Sequence, residues 1–136
     1  MIGLTYDSHT IEDDRTVFLL VHGINGHSNE GYILDFVRRQ VAEGNIVAVV
    51  VTRGLMDSPV LGNNLLHFAR TSDIAAAAKA LKRALLKIKH SHCLPMLVGV
   101  GFSMGAITLA NYVARAGKED CYLDIAIGFS GALDTR

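Results

Sequence analysis

No sign of charge dominates this sequence. Thirteen Lys and Arg balance thirteen Asp and Glu over 136 residues, so bulk charge gives no nucleic acid or other polyanion a reason to bind. Cysteine is scarce. Cys93 and Cys121 are too few for a disulfide framework and lack metal-ligand spacing. Both read as small buried apolar groups in a reducing compartment. Long apolar runs are missing as well. The longest, Ile46 to Val51, is far too short to span a membrane. The first fourteen residues carry Asp7, Glu12, Asp13 and Asp14, the opposite of a signal peptide's basic start, so no targeting segment is expected in this stretch. The expected location is the cytoplasm, with membrane association left to a surface patch or to segments outside this chain.

What remains is one domain's worth of chain, with 50% hydrophobic and 19% charged residues, a balance that excludes disorder. There is no internal repeat. Four apolar runs end at glycine-containing turns: Val17–Val21 at His22-Gly23, Ile46–Val51 at Arg53-Gly54, Met96–Val100 at Gly101-Phe102-Ser103, and Ile125–Phe129 at Ser130-Gly131. Runs without polar alternation fit parallel strands buried on both faces. Helical patterns lie between them. Tyr32 to Glu43 places Ile33, Phe36, Val37 and Val41 on one stripe, with Gly44 at C′. Ser72 to about His90 buries Ile74, Ala77, Ala78, Leu81, Leu85 and Ile88, with Ser72 as N-cap and Asp73 complementing the helix dipole. Met104 to Ala116 forms a third helix that Gly117 stops. Gly54 to Arg70 reads as a long loop. The expected fold class is α/β, a mainly parallel sheet of about four strands with helices on both faces.

Chemistry concentrates where the third run meets the third helix, at Gly101-Phe102-Ser103-Met104-Gly105. A serine hydroxyl attacks only if it is exposed, oriented and deprotonated. A sharp strand-to-helix turn does the first two of these, holding Ser103 in a strained backbone geometry at the sheet's edge. Gly101 and Gly105 leave room where side chains would collide with the neighbouring strand and helix. The Met104 amide then points to where a carbonyl oxygen becomes an oxyanion. A second turn, His22-Gly23-Ile24-Asn25-Gly26, follows the first strand, and its glycines free the Ile24 amide to be another such donor. No third glycine completes a dinucleotide-binding fingerprint, and there is no P-loop.

His22-Gly-Ile-Asn-Gly-His-Ser28, Tyr32-Ile33, Arg53-Gly54, Thr71-Ser72-Asp73-Ile74 and Gly-Phe-Ser103-Met-Gly together resemble the α/β-hydrolase superfamily. Within it they are similar to the YheT-like branch, related to ABHD-type lipid esterases. The resemblance covers about Thr16 to the end. It implies a serine hydrolase that cleaves carboxylic esters (acylglycerol, phospholipid or short-chain) through a Ser103 acyl-enzyme. It implies Ile24 and Met104 as oxyanion donors, supported by His22, Gly23, Gly101 and Gly105, with no metal and no organic cofactor. The implied spatial order of the four strands is second, first, third, fourth. Esterases, lipases, thioesterases and peptidases share the same turn.

The family order is Ser, then acid, then His. Here no histidine follows Ser103, and Asp124 and Asp134 only flank the first strand after it. The expectation is thus residues 1–136 as a single incomplete core domain, catalytically deficient by itself, whose open sheet edge pairs with a missing C-terminal portion or a partner chain. A non-catalytic scaffold or interaction module is the competing expectation. His22 reads as a structural residue of its turn, and His27 and His67 as solvated or capping. His9, His90 and His92 read as surface residues. Arg53 reads as pinning its loop rather than gripping a headgroup. Tyr32 reads as packing at the core edge. Lys79, Lys82, Arg83, Lys87 and Lys89 read as a solvated helix face. Met56 and Leu61 to Phe68 are either loop anchors or an acyl-pocket lining.

Overall fold

In the computed structural model the described residues form β1 (Ile2–Thr5), β2 (Val17–Val21), α1 (Gly31–Ala42), β3 (Ile46–Val50), α2 (Ser72–Lys87), β4 (Leu97–Phe102), α3 (Met104–Asp120) and β5 (Ile125–Phe129). The structure describes residues 2–5, 15–60, 67, 69–87 and 94–131, with β1 as backbone only. One sheet runs in the order β1-β3-β2-β4-β5. Its four strands β3, β2, β4 and β5 are parallel, in the implied spatial order. β1 is an addition to the expected four and pairs antiparallel with β3, Ile2 opposite Val50.

Alternation along the strands explains the two layers. Val17, Leu19 and Val21 face a core shared with α2 and α3, through Ile74, Ala77, Ala78, Leu81, Leu85, Leu109 and Tyr112. Leu20, Val47, Val49, Val98 and Val100 face the other way, onto Ile33, Phe36 and Val37 of α1. Strands buried on both sides have no room for polar alternation, which is why the sequence shows unbroken apolar runs. Val41 departs from the expected stripe. It is exposed, so the apolar stripe of α1 stops a turn before the helix does. Gly44 lies at φ +81°, the left-handed geometry that reverses the chain toward β3.

α2 begins one residue earlier than the capping pattern suggests. The Thr71 carbonyl accepts from the Ala75 amide at 2.9 Å, so Thr71 holds the cap position and Ser72 is already helical. Ile88, Lys89 and the expected end near His90 lie outside the described residues, as do His92, Cys93, Asp134 and most of the 61–68 stretch. α3 breaks at Gly117, where φ is +61°.

β5 is the exposed edge, with Ile125 45% and Ile127 40% accessible. Its N-terminal end is braced. Asp124 accepts from Lys82 at 2.7 Å and from the Leu97 amide at 2.7 Å, and Lys79 lies 5.5 Å from the Tyr122 ring centroid. Two of the five cations expected on a solvated face therefore hold the start of β5 instead. The Tyr112 hydroxyl accepts from the Tyr122 amide at 2.9 Å. Burial is the largest influence raising the Tyr112 phenol above its ordinary value. A raised folded-state value means the neutral phenol supports the fold fully below about pH 10, and that support is lost as pH rises through the folded value. Tyr112→Phe is expected to cost about 1 kcal/mol at neutral pH. In chemical denaturation curves measured from pH 8 to 11, the variant should show a shallower alkaline loss than wild type.

Candidate active site

The parallel strands bring their C-terminal ends to one edge. His22, Thr52, Ser103 and Ser130 follow β2, β3, β4 and β5 there. Ser103 is exposed, with φ 52° and ψ −118°. This left-handed backbone costs a non-glycine residue about 1–3 kcal/mol. Its neighbours hold it. The Ser103 amide donates to the Phe129 carbonyl at 2.9 Å, and the Ser103 carbonyl accepts from the Ala106 amide at 3.0 Å.

The flanking glycines are dictated by close approach. A Cβ at Gly101 would lie 2.6 Å from the Ala106 Cα, and one at Gly105 would lie 2.6 Å from the His22 carbonyl oxygen and closer still to that of Val21. The first glycine admits the helix and the second admits the strand. A Cβ at Gly23 would sit 3.3 Å from the Ser103 Cβ and 3.8 Å from its Oγ. The His22–Gly26 turn therefore lies directly beside the serine. Among the described residues, the Ser103 hydroxyl and the amides of Ile24 and Met104 have no hydrogen-bond partner.

His22 is wholly buried. Its Nε2 accepts from the Thr52 amide at 3.2 Å, so its Nδ1 carries the proton and donates to the Gly23 carbonyl at 2.8 Å. The Gly26 amide donates to the same carbonyl at 3.1 Å. Gly23 C=O and Ile24 N–H share one trans peptide plane and point oppositely. Fixing the carbonyl inward turns the Ile24 amide outward. Thr52, which anchors the histidine, carried no sequence signal. With both ring nitrogens bonded, His22 is a brace.

The other candidates resolve locally. His27 accepts from the Asn29 amide at 3.2 Å and faces Glu30 at 3.4 Å. The His67 Nδ1 accepts from the Ala69 amide at 3.0 Å. Arg53 forms a two-pronged pair with Asp73, Nε to Oδ2 at 2.8 Å, which raises its basicity further. This ties the turn after β3 to the start of α2. Met56 sits at φ 49°, and its sulfur accepts from the Ser28 hydroxyl at 3.2 Å. Asp124 is at the N-terminal end of β5, the opposite edge from Ser103. A cavity of about 30 Å³ lies under the start of α3, bordered by His22, Thr52, Asp73 and Met104.

No protein-family model matches the chain. An abhydrolase domain-containing protein of Dictyostelium discoideum is 30% identical over 113 residues, 82% of this chain and 27% of that protein. A yeast protein, the medium-chain fatty acid ethyl ester synthase/esterase 2 of Saccharomyces cerevisiae, is 32% identical over 109 residues, 79% of this chain and 23% of that protein. Among solved structures, an a/b serine hydrolase without a lid from Xanthomonas campestris matches with a TM-score of 0.67 and 14% identity, over 93% of this chain and 53% of that one. A Bacillus licheniformis lipase in mature form gives 0.67 and 13%, over 96% and 46%. These sequence relatives, together with the shared fold, support the α/β-hydrolase superfamily for the chain. It spans about a quarter of the length of the curated relatives it matches.

Within the chain, no described helix is long and apolar enough to cross a membrane. Two packing demands of its turns can be measured directly. Gly105→Ala should lower unfolding free energy by about 3 kcal/mol, through overlap with the end of β2. His22→Ala should cost about 2–4 kcal/mol by stranding the Thr52 amide and half-freeing the Gly23 carbonyl, whereas His27→Ala should cost under ~0.5 kcal/mol. Denaturant titration gives these values, and amide exchange should locate the His22 effect at Thr52.

Proposed function

We propose that the chain carries the nucleophile and oxyanion-binding half of a serine hydrolase acting on carboxylic esters, of the kind its YheT-like motifs suggest. The observation carrying this reading is the convergence of an exposed, backbone-strained Ser103 with two amides, Ile24 and Met104, that have no partner among the described residues. In this reading the ester's carbonyl oxygen lies against those amides. The Ser103 Oγ bonds to the carbonyl carbon while its proton passes to a base, and the carbonyl electron pair moves onto oxygen. Preorganised donors placed where that charge develops stabilise it without reorganising. Collapse expels the alcohol, which takes the proton. Water then releases the acid from the serine.

Base and acid are not assigned to this chain. No histidine follows Ser103, and His22 has both nitrogens bonded. Oxyanion binding alone keeps an advantage of only about 10³–10⁴ over water. A second reading, a hydrolase-derived scaffold, is favoured by the exposed apolar edge of β5.

A fluorophosphonate probe separates the two. Labelling of this chain is expected to be slow, to quicken with added imidazole as a surrogate base, and to vanish in Ser103→Ala. Absence of labelling with and without imidazole, and in any longer form of the chain, would leave the scaffold reading.

A further inference from the structure

We propose that Tyr32 is a third hydrogen-bond donor at this site, its phenol O–H reaching the same ester oxygen as the Ile24 and Met104 amides. This rests on the reading of Ser103 as the nucleophile, and it adds a side chain to a cradle otherwise made of backbone.

Three observations carry it. The Tyr32 oxygen accepts from the Gly23 amide at 3.3 Å, and Gly23 is the residue whose missing Cβ leaves space beside the Ser103 Oγ. A Cβ at Gly26 would lie 3.2 Å from the same phenol oxygen, so the turn is shaped around it. The acceptor side of the hydroxyl is therefore in use, while its proton has no acceptor among the described residues. The ring itself is fixed. It lies 4.9 Å from Phe102, the residue before Ser103, at a tilt of 56°. Yet Tyr32 as a whole is 41% exposed at the mouth of the turn.

A packed ring with one committed lone pair and an uncommitted proton is a preorganised donor. Ordering it costs little when a ligand arrives, since two torsions position the whole group. A hydroxyl that already accepts from an amide is polarised toward donating. Packing alone would be met by phenylalanine, which fits Phe102 equally well but leaves the Gly23 amide facing nothing.

Butyrate tests this without turnover, because its carboxylate places an anionic oxygen where the ester oxygen would bind. Titrated into chain labelled with ¹⁵N and with ¹³C at tyrosine Cζ, it is expected to move the Ile24 and Met104 amides and the Tyr32 Cζ resonance together, with one Kd. Tyr32→Phe should bind butyrate roughly tenfold more weakly, the loss expected for a hydrogen bond to a charged acceptor. An unchanged Kd in Tyr32→Phe, or a Tyr32 Cζ resonance that stays in place while both amides move, overturns the proposal and leaves the amide site standing. Amides that do not respond in wild type overturn both.

Discussion

Everything at the reactive edge depends on how closely the start of α3 approaches the end of β2. A methyl group at Gly105 would overlap the carbonyls of Val21 and His22. Only hydrogen fits there, and that contact brings the His22–Gly26 turn beside Ser103. It also explains why strain at Ser103 is tolerated. The strained residue is bonded to Phe129 on one side and to the first turn of α3 on the other, so relaxing it would mean separating a helix from two strands. Steric fit between backbones, more than any polar contact, sets the site's shape.

A second tier of polar bonds then aims the groups. His22, sealed in the interior, connects the ends of β2 and β3 and orients a peptide plane. The turn after β3 is held in turn by Arg53 and Asp73. These contacts form a short lattice running from α2 across the top of the sheet to the candidate oxyanion turn. None of its members touches the serine hydroxyl among the described residues. Its work is to hold backbone amides in place against the flexibility that three nearby glycines introduce.

How much of this could be read from the sequence follows from range. The parallel strands were legible because burial on both faces writes itself as an unbroken apolar run, and the Gly101–Gly105 turn because its demands fall within five residues. Features that join distant segments were not legible. Nothing in Ile2–Thr5 announces a strand until β3 is there to pair with it. Lys82 and Lys79 look like solvated charges until Asp124 and Tyr122 are placed beneath them. Tyr32 reads as packing, and it does pack on Phe102, but the partner of its hydroxyl is a backbone amide that no periodicity reveals. Thr52 is invisible for the same reason.

The order of strands across the sheet has a consequence for how the chain is made. β2 is the middle strand of the five, and β3, β4 and β5 each lie against a strand that precedes them in the sequence. As the polypeptide leaves the ribosome, each of these can dock on a surface already synthesised, so the sheet grows outward in both directions from its centre. β1 alone must wait, since its neighbour β3 emerges some forty residues later. Ser103 thus acquires its backbone partner Phe129 only once β5 has emerged, so the bend that exposes the serine is secured after the strand and helix that form it.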